Sequence, residues 1–429
     1  MEALDITSIL LVLAAVFGYL NLKTFKLPTA IGIMLFGVVF SLLLLALNPL
    51  FPSIQPEAKS FLESIDFNKT LMEGMLSYLL FAGALHVNLN DLSKQKSLVA
   101  ILASFGVVFS TFAIGGASYF ILGALGVEIQ FIWCLLFGAL ISPTDPVAVL
   151  GILKKAGAPK SLETKITGES LFNDGVGVVV YLVLLGMIPI AAHHGHADDH
   201  HATEMTAGAI SKLFLVEAGG GILWGLILGG IGFYLLKSIN NYQIEILISL
   251  ALVTAGYQAA YAMHISGPLA MVVAGLMLGN QGRYLAMSDT TREHLDTFWE
   301  LVDEILNAVL FLLIGIELLI LDWTPTAITF GLLAIPLTLI VRYTAASIPV
   351  NILKKFREFS PRVVTLLTWG GIRGGISIAL ALGLPKDPEF LEIRNLLLVA
   401  TYIVVIFSIG VQGLTLKTLI QKCLNAKQA

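Results

Sequence analysis

Apolar runs long enough to cross a bilayer recur from one end of this 429-residue chain to the other. A membrane-spanning helix needs about 20 mostly apolar residues. Hydrophobic residues make up 57% of the chain and charged residues only 13%, whereas about 25% of residues are charged in a soluble domain. The pattern therefore predicts an all-α polytopic membrane protein, with residues 1–429 forming a single transmembrane domain.

About thirteen spans of this length are predicted. Lys and Arg number 18 in the inner loops and four in the outer loops when the N-terminus is placed outside. Because positively charged short loops stay in the cytoplasm, the bias predicts an outer N-terminus and a cytoplasmic C-terminus. The residues before the first span, 1–5, lack the positive charge of a cleaved signal peptide, so this span is predicted to be retained. The approximate limits of the spans are 6–22, 28–47, 69–87, 98–123, 129–152, 168–191, 210–236, 243–261, 266–281, 302–321, 325–350, 363–383 and 395–416.

Polar segments between the spans are few and short. Residues 48–68 are predicted to form an outer loop, and residues 283–301 a polar inner helix that connects two spans. A third segment, 192–208, is predicted outside and is rich in histidine. It either binds a transition metal or acts as a pH-sensitive patch or, as such tracts usually are, is a solvated loop. Its histidines are His193, His194, His196, His200 and His201.

The fifth span contains the sequence Ser142-Pro143-Thr144-Asp145-Pro146. Proline lacks the N–H of a helix hydrogen bond and disfavours the helical conformation of the residue before it. We therefore expect two half-helices with free carbonyl groups near Thr144 and Asp145. Exposed backbone at membrane depth is tolerated only where it lines a cavity or is buried in protein. Carbonyls, a hydroxyl and a carboxylate are ligands for a hard cation; the plainer alternative is a proline kink used for packing.

The sixth span carries a polar stripe, because Glu169 and Asn173, like Ser170 and Asp174, are four residues apart and share one side of a helix. A charged residue at the bilayer centre costs about 3 kcal/mol even on a lenient scale, which makes such residues functional candidates. Burial favours the protonated carboxyl group, and a nearby cation favours the ionised one. A carboxylate in this balance holds either a proton or a cation, which is antiport in its simplest form. A structural acid paired with an arginine is the alternative, and it suits Glu169 better than Asp174.

A second interruption lies in the twelfth span, where Arg373 stands among glycines, which weaken a helix. Seven spans separate it from the fifth, so the two units have opposite orientations in the membrane. Paired interruptions in inverted repeats are a pointer to a transporter site. Arg373 and Arg342 both lie within spans and need buried partners, for which Glu169 is a candidate. The glycines of the break are Gly370, Gly371, Gly374 and Gly375.

Three motifs together resemble the signatures of the monovalent cation:proton antiporter-1 family, which contains the NhaP-type and animal sodium/proton exchangers. They are Thr144-Asp145-Pro146, the Glu-Ser-Leu-Phe-Asn-Asp sequence of 169–174, and the Gly-Ile-Arg-Gly sequence of 371–374. Segments 266–279 and 298–317 are also similar to this family. The resemblance covers essentially the whole chain.

The resemblance implies a role for each residue of these motifs. Asp174 would bind the transported cation or proton, with Asn173 as its helper, and Asp145 would share the transported Na⁺. Thr144 and Asp145 would lie at the crossing of two unwound helices, and Ser170 would help to coordinate the ion. The resemblance also implies two structural roles, namely a Glu169–Arg342 ion pair and stabilisation of the crossing by Arg373.

The resemblance further implies the architecture, an NhaA-like antiporter fold in a homodimer. Spans 1–3 and 7–10 would form the dimerisation part, and spans 4–6 and 11–13 the ion-binding core. Members with an Asn-Asp pair are expected to exchange one ion for one proton without net charge movement. One departure concerns the third span, where many relatives have Phe-Glu-Ala and this chain reads Phe81-Ala82-Gly83. Glu73, nine residues earlier, is the possible substitute for that acid.

The sequence thus favours a secondary antiporter that exchanges Na⁺ or Li⁺ for H⁺ in a prokaryotic plasma membrane. No enzymatic activity, cofactor or nucleic-acid partner is expected. A K⁺/H⁺ antiporter with the same site is the main alternative. An intramembrane aspartyl protease would use Asp145 and Asp174, but its Tyr-Asp and Gly-x-Gly-Asp motifs are missing. A channel suits the double break less well than alternating access does, and no span carries the His-x-x-x-Asp/Glu spacing of a zinc transporter.

Overall fold

A computed structural model describes residues 3–47, 61–62, 65, 67–188, 207–356, 359 and 362–425. All regular elements among these residues are helical, and no strand occurs in them. A short helical turn (Phe67–Lys69) and a π-helical turn (Thr70–Met75) lead into the third helix. The first eight helices are α1 (Ala3–Lys23), α2 (Thr29–Leu47), α3 (Leu76–Leu85), α4 (Leu89–Ala103), α5 (Phe105–Ala124), α6 (Phe131–Ile141), α7 (Val147–Lys155) and α8 (Lys160–Leu185).

The second part of the chain is helical in the same way. It contains two π-helical turns, Leu278–Gly282 and Ser408–Gly413, and a short 3₁₀ turn, Glu317–Leu319. The helices are α9 (Ala207–Ser238), α10 (Tyr242–Ala262), α11 (Gly267–Met277), α12 (Asp289–Ile316), α13 (Pro325–Leu353), α14 (Val363–Trp369), α15 (Gly375–Leu382), α16 (Leu391–Phe407) and α17 (Leu414–Asn425).

Polar caps define where several helices begin. The Asn88 side chain accepts a hydrogen bond from the Asn90 amide at 2.9 Å, and Ser288 accepts one from the Thr291 amide at 3.2 Å. Thr324 caps α13 in the same way, with proline at the first helical position. Such side chains satisfy amide groups that a helix start leaves without partners. The loops between spans are therefore specified by local sequence.

Within the described ranges, eight helices are long and apolar enough to cross a membrane. This confirms the prediction of an all-α, multi-pass membrane protein. The remaining predicted spans contain shorter helices or coincide with the second half of α12, which begins with a polar, charged stretch. The eight are Leu4–Lys23, Thr29–Leu47, Leu89–Ala124, Lys160–Leu185, Leu215–Ser238, Tyr242–Ala262, Pro325–Leu353 and Pro388–Cys423.

The structure differs from the prediction at one polar segment. The sequence predicts a separate connecting helix over 283–301, but α12 runs without interruption from Asp289 to Ile316 and so includes most of the next predicted span. No proline or glycine lies between Asp289 and Leu313 to end the helix. The predicted His-rich loop 192–208 and outer loop 48–68 lie largely outside the described residues.

Helix α6 is at the centre of the bundle. Its residues Trp133–Ile141 are buried all round, as expected of a helix surrounded by others. Helix α5 approaches it closely at Gly115, where a Cβ atom would lie 2.9 Å from the Leu135 Cα. Small residues at such contacts allow helices to pack tightly in a membrane. The buried helix α6 therefore holds the break that follows it in a fixed position.

Candidate functional site

The two predicted interruptions meet in the interior. The chain leaves the helical conformation after Ile141 and re-enters it at Val147, and it does so again between Trp369 and Gly375. The amide of Asp145 in the first break donates a hydrogen bond to the carbonyl of Ile372 in the second, at 2.7 Å. One backbone group that each break frees is thus satisfied by the other break.

Arg373 donates hydrogen bonds to carbonyl groups of the first break. It is buried, and its Nη1 donates to the carbonyl oxygen of Pro143 at 2.9 Å and also to that of Ser142. Pro146 lacks the N–H that would otherwise bind the Ser142 carbonyl in a continuous helix. A buried cation needs such acceptors, and the prolines supply them.

The polar stripe of α8 binds the same break. The Asn173 amide donates to the Thr144 hydroxyl at 2.8 Å, and its oxygen accepts from the Thr144 amide at 3.3 Å. The Thr144 and Ser170 hydroxyl oxygens are 3.0 Å apart. All three side chains are buried. Three hydrogen bonds therefore fix Thr144 and the adjacent Asp145 against α8.

Asp174 lies on the same stripe and is 5% exposed. Together with Thr144 and Asp145, it lines a cavity of about 780 Å³. The charge in the cavity wall is one-sided, because eight carboxylate side chains and the single ammonium group of Lys160 line it within the part of the chain that the structure describes. A cleft lined by one sign of charge concentrates counter-ions. The acids are Asp91, Asp145, Glu163, Asp174, Asp296, Glu300, Asp303 and Glu304.

Glu169 faces away from this cavity and pairs with Arg342 of α13. The Arg342 guanidinium donates to both carboxylate oxygens of Glu169, with Nη2 2.8 Å from Oε2. Nη2 also donates to the carbonyl of Leu367 at 3.1 Å. Both partners are buried, Glu169 to 1% exposure and Arg342 to 6%. Glu169 is therefore neutralised, and Asp174 is the acid of α8 that faces the cavity at this depth.

The far end of α15 is closed by hydrogen bonds to its free carbonyl groups. Asn68 donates to the carbonyl of Ala379 at 2.7 Å, and the Tyr181 hydroxyl donates to that of Leu380 at 2.8 Å. Arg394 donates to two further carbonyls at the same end. These donors come from three different parts of the chain, so the end of α15 opposite the cavity is tightly held.

Sequence reasoning missed part of this cavity wall. Asp303 and Asn307, which line it from α12, fell in a predicted span and drew no attention. The available signal was the spacing of Asp296, Glu300, Asp303 and Asn307, which are three or four residues apart and share one side of a helix. Ser377, another lining residue, had no signal of its own. Ala82, where many relatives carry the additional acid, also lines the cavity.

Within the described ranges, no three His, Cys, Asp or Glu side chains cluster as metal ligands. The histidines of 192–208 lie outside the described residues, so their predicted role stays a prediction. What the fold and site define is a multi-pass membrane protein with an acid-lined cavity that ends where two broken helices meet.

Comparison with known proteins gives this class a name. The sequence model of the family described as "Sodium/hydrogen exchanger, transmembrane" matches residues 11–422. The Na(+)/H(+) antiporter NhaP of Pseudomonas aeruginosa is 46% identical to this chain over 426 residues, which cover 98% of this chain and 96% of that protein. The Na(+)/H(+) antiporter NhaH of Halobacillus aidingensis is 36% identical over 403 residues, 93% of each chain. The chain belongs to the sodium/hydrogen exchanger family, which confirms the resemblance seen in its motifs.

A solved structure has the same fold. The sodium proton antiporter MjNhaP1 from Methanocaldococcus jannaschii, in its structure at pH 8, superimposes with a TM-score of 0.74. The match covers 99% of this chain and 100% of that chain at 18% sequence identity. At this identity the likeness concerns the fold alone. The two proteins therefore share the same arrangement of helices over nearly their whole length.

Proposed function

We propose that this protein exchanges Na⁺ or Li⁺ for H⁺ across a prokaryotic plasma membrane by alternating access. The proposal rests mainly on the position of Asp174. This carboxylate is nearly buried and lines an acid-rich cavity together with Asp145, where the two helix breaks meet. A charged side chain at this depth is costly, so its presence indicates a functional role. The names of the two similar antiporters, from Pseudomonas and Halobacillus, support sodium as the cation.

In this proposal the cation binds to the Asp174 carboxylate, with further oxygen ligands from Asp145, Thr144 and Ser170. Hard cations prefer such oxygen donors. Asn173 holds Thr144 in place through the hydrogen bonds described above. A proton on Asp174 removes the charge that the cation needs, so the two ions bind in turn. Exchange of one for one leaves the net charge of the site constant.

Two buried arginines have structural roles in the same proposal. Arg342, paired with Glu169, fixes α8 against α13, and Arg373 holds the two breaks together at their crossing through the carbonyls of the first. Because both arginines are engaged elsewhere, neither competes with the transported cation for Asp174. This leaves the site acid available to a cation from the cavity.

The proposed architecture has thirteen spans in inverted repeats, with α6–α7 and α14–α15 as the interrupted fifth and twelfth. The dimerisation part contains spans 1–3 and 7–10, the core contains spans 4–6 and 11–13, and two copies form a homodimer. With an outer N-terminus, the cavity mouth near Asp91, Lys160 and Asp296 faces the cytoplasm. The tightly held end of α15 then lies on the outer side. The structure would thus represent the inward-open state.

Ion-driven proton movement in proteoliposomes tests the function directly. An inside-acid pH gradient is imposed and followed with a pH-sensitive dye while Na⁺, Li⁺ or K⁺ is added outside. Collapse of the gradient by Na⁺ and Li⁺ is the expected result. Collapse by K⁺ alone would keep the mechanism and change the substrate to potassium. No cation-dependent collapse would refute antiport, and large voltage-clamped currents would indicate a channel instead.

The close approach of Gly374 to Asp145 leads to a first prediction. A Cβ atom at Gly374 would lie 2.5 Å from the Asp145 Cβ and 2.6 Å from its Cγ, so Gly374→Ala must displace either Asp145 or the start of α15. A misplacement of about 1 Å costs about 100-fold in rate at a precise site. We expect exchange to fall by about that factor while the protein remains folded. Gly116→Ala is the matched control, because its added Cβ meets nothing within 4 Å, and it should retain activity. Exchange by Gly374→Ala at the wild-type rate would show that the position of Asp145 is not critical.

A further inference from the structure

Ser377 is a buried hydroxyl group that the proposed site does not use. Its side chain is 1% exposed, and it lines the same cavity as Thr144, Asp145 and Asp174. No protein group among the described residues forms a hydrogen bond with its Oγ. Buried polar groups normally have a partner, so each exception needs an explanation. A hydroxyl of this kind in the wall of a cavity points to a ligand in that cavity.

The position of Ser377 at the start of α15 explains why its hydroxyl is unpartnered. Within a helix, a hydroxyl usually donates to the carbonyl four residues earlier, as Thr368 does to Val364 at 2.8 Å and Thr401 to Leu397 at 2.7 Å. Ser377 stands only two residues after the first helical residue, Gly375. The residue four positions before it belongs to the non-helical break. The usual acceptor is therefore missing.

Neighbouring hydroxyls differ from Ser377 in their bonding or their burial. The Thr144 oxygen accepts from the Asn173 amide and lies 3.0 Å from the Ser170 oxygen, so a cation that binds either one must share an oxygen with this network. The Thr167 hydroxyl also lacks a partner among the described residues, but its side chain is only half-buried and lies seven positions before Asp174 on α8. Ser377 combines full burial with an oxygen whose lone pairs are uncommitted.

Two glycines allow the start of α15 to pack closely against the first break and against α12. Gly374 lies directly against the Asp145 side chain, and a Cβ atom at Gly375 would lie 2.7 Å from the Leu310 side chain of α12. Ser377 is in the same turn. The helix start that carries its hydroxyl is therefore fixed by backbone contacts on both sides, as a binding group should be.

We propose that the Ser377 Oγ is a direct ligand of the transported cation, opposite the break that carries Thr144 and Asp145. This inference rests on the proposed function and adds a residue to its site. A neutral oxygen ligand contributes to holding Na⁺ or Li⁺ but is not needed to hold the proton on Asp174. Loss of the hydroxyl therefore raises the KM for both cations and leaves the maximal exchange rate close to that of the wild type.

The test compares KM values for Na⁺ and Li⁺ in proteoliposomes that contain the full chain. For Ser377→Ala we expect the KM to rise about tenfold, the upper effect of losing one ordinary polar interaction. Ser377→Thr keeps the hydroxyl and should restore a KM near that of the wild type. The matched control is Ser118→Ala, because the Ser118 hydroxyl in α5 is also buried without a partner among the described residues but does not line the cavity. Its KM should be unchanged.

The outcomes separate this inference from the proposed function. Absence of Na⁺-dependent proton movement in the wild-type protein refutes the function itself. Exchange that requires Asp174, with a Ser377→Ala KM equal to that of the wild type, refutes only the role of Ser377; so does an equal rise in KM for Ser118→Ala or Ser377→Thr. If Ser377→Ala does not fold, Ser377→Cys replaces the oxygen at similar size, and the same rise in KM is expected. Thermal stabilisation of the purified protein by Na⁺ should shift to higher Na⁺ concentration in the same variant.

Discussion

Replacement of Asp174 by asparagine is expected to abolish cation-driven proton movement. Asparagine has nearly the same shape but carries neither the charge that a cation requires nor a proton that it can release. A loss of about 2.8 kcal/mol in cation binding already lowers the affinity about 100-fold. Asp174 is nearly buried at the helix breaks, and in the proposed mechanism Asp145 shares the cation but does not take over the exchange of proton for cation.

The measurement is the collapse of an imposed pH gradient by Na⁺ in proteoliposomes with Asp174→Asn. Asp322→Asn is the matched control, because Asp322 is an exposed carboxylate outside the cavity, and this variant should exchange at the wild-type rate. Folding is checked by the melting temperature of each variant in detergent. Exchange by folded Asp174→Asn at more than a tenth of the wild-type rate would place the ion elsewhere.

The Glu169–Arg342 pair should give the largest effect on stability. Removal of one partner leaves an uncompensated buried charge, which costs about 3–5 kcal/mol. Among the described residues, Arg342 then keeps its hydrogen bond to the Leu367 carbonyl and has no carboxylate partner. Glu169→Ala should therefore unfold at a markedly lower temperature than the wild type.

The double replacement Glu169→Gln with Arg342→Met is the informative companion to this variant. It removes both charges and keeps similar volumes, so much of the lost stability should return. Thermal unfolding in detergent provides the comparison. A Glu169→Ala melting temperature equal to that of the wild type would show that the pair is dispensable. A double variant as unstable as the single one would show that the loss does not come from the unpaired charge of Arg342.

The polar centre of the molecule was predictable because its signals are local. Prolines at 143 and 146 remove particular hydrogen bonds wherever the segment lies, and glycines around Arg373 weaken a helix in any context. The four-residue spacing in α8 likewise places Ser170 and Asp174 on one side. The structure has both helix breaks, and it shows that the two breaks touch through Asp145 and Ile372.

Other features depend on tertiary contacts that spacing does not encode. Glu169 and Arg342 are 173 positions apart, and their pairing was suggested by family resemblance, with spacing leaving two arginines open. The side of α12 that faces the cavity follows from its contact with α15 at Leu310 and Gly375. A serine such as Ser377 is ordinary in sequence. It is set apart by its burial in the cavity wall without a hydrogen-bond partner among the residues that the structure describes.

In the proposed mechanism a cation and a proton compete for Asp174, and the dependence of the Na⁺ KM on pH tests this competition most directly. For competition at one carboxylate, the KM should rise tenfold for each unit of falling pH in the range where the site is mostly protonated, while the maximal rate stays constant. The measurement uses proteoliposomes at a series of pH values, equal on both sides before Na⁺ is added. A KM that rises with this slope would agree with a single shared site. A KM that does not change with pH would contradict it, because proton and cation would then bind to different groups.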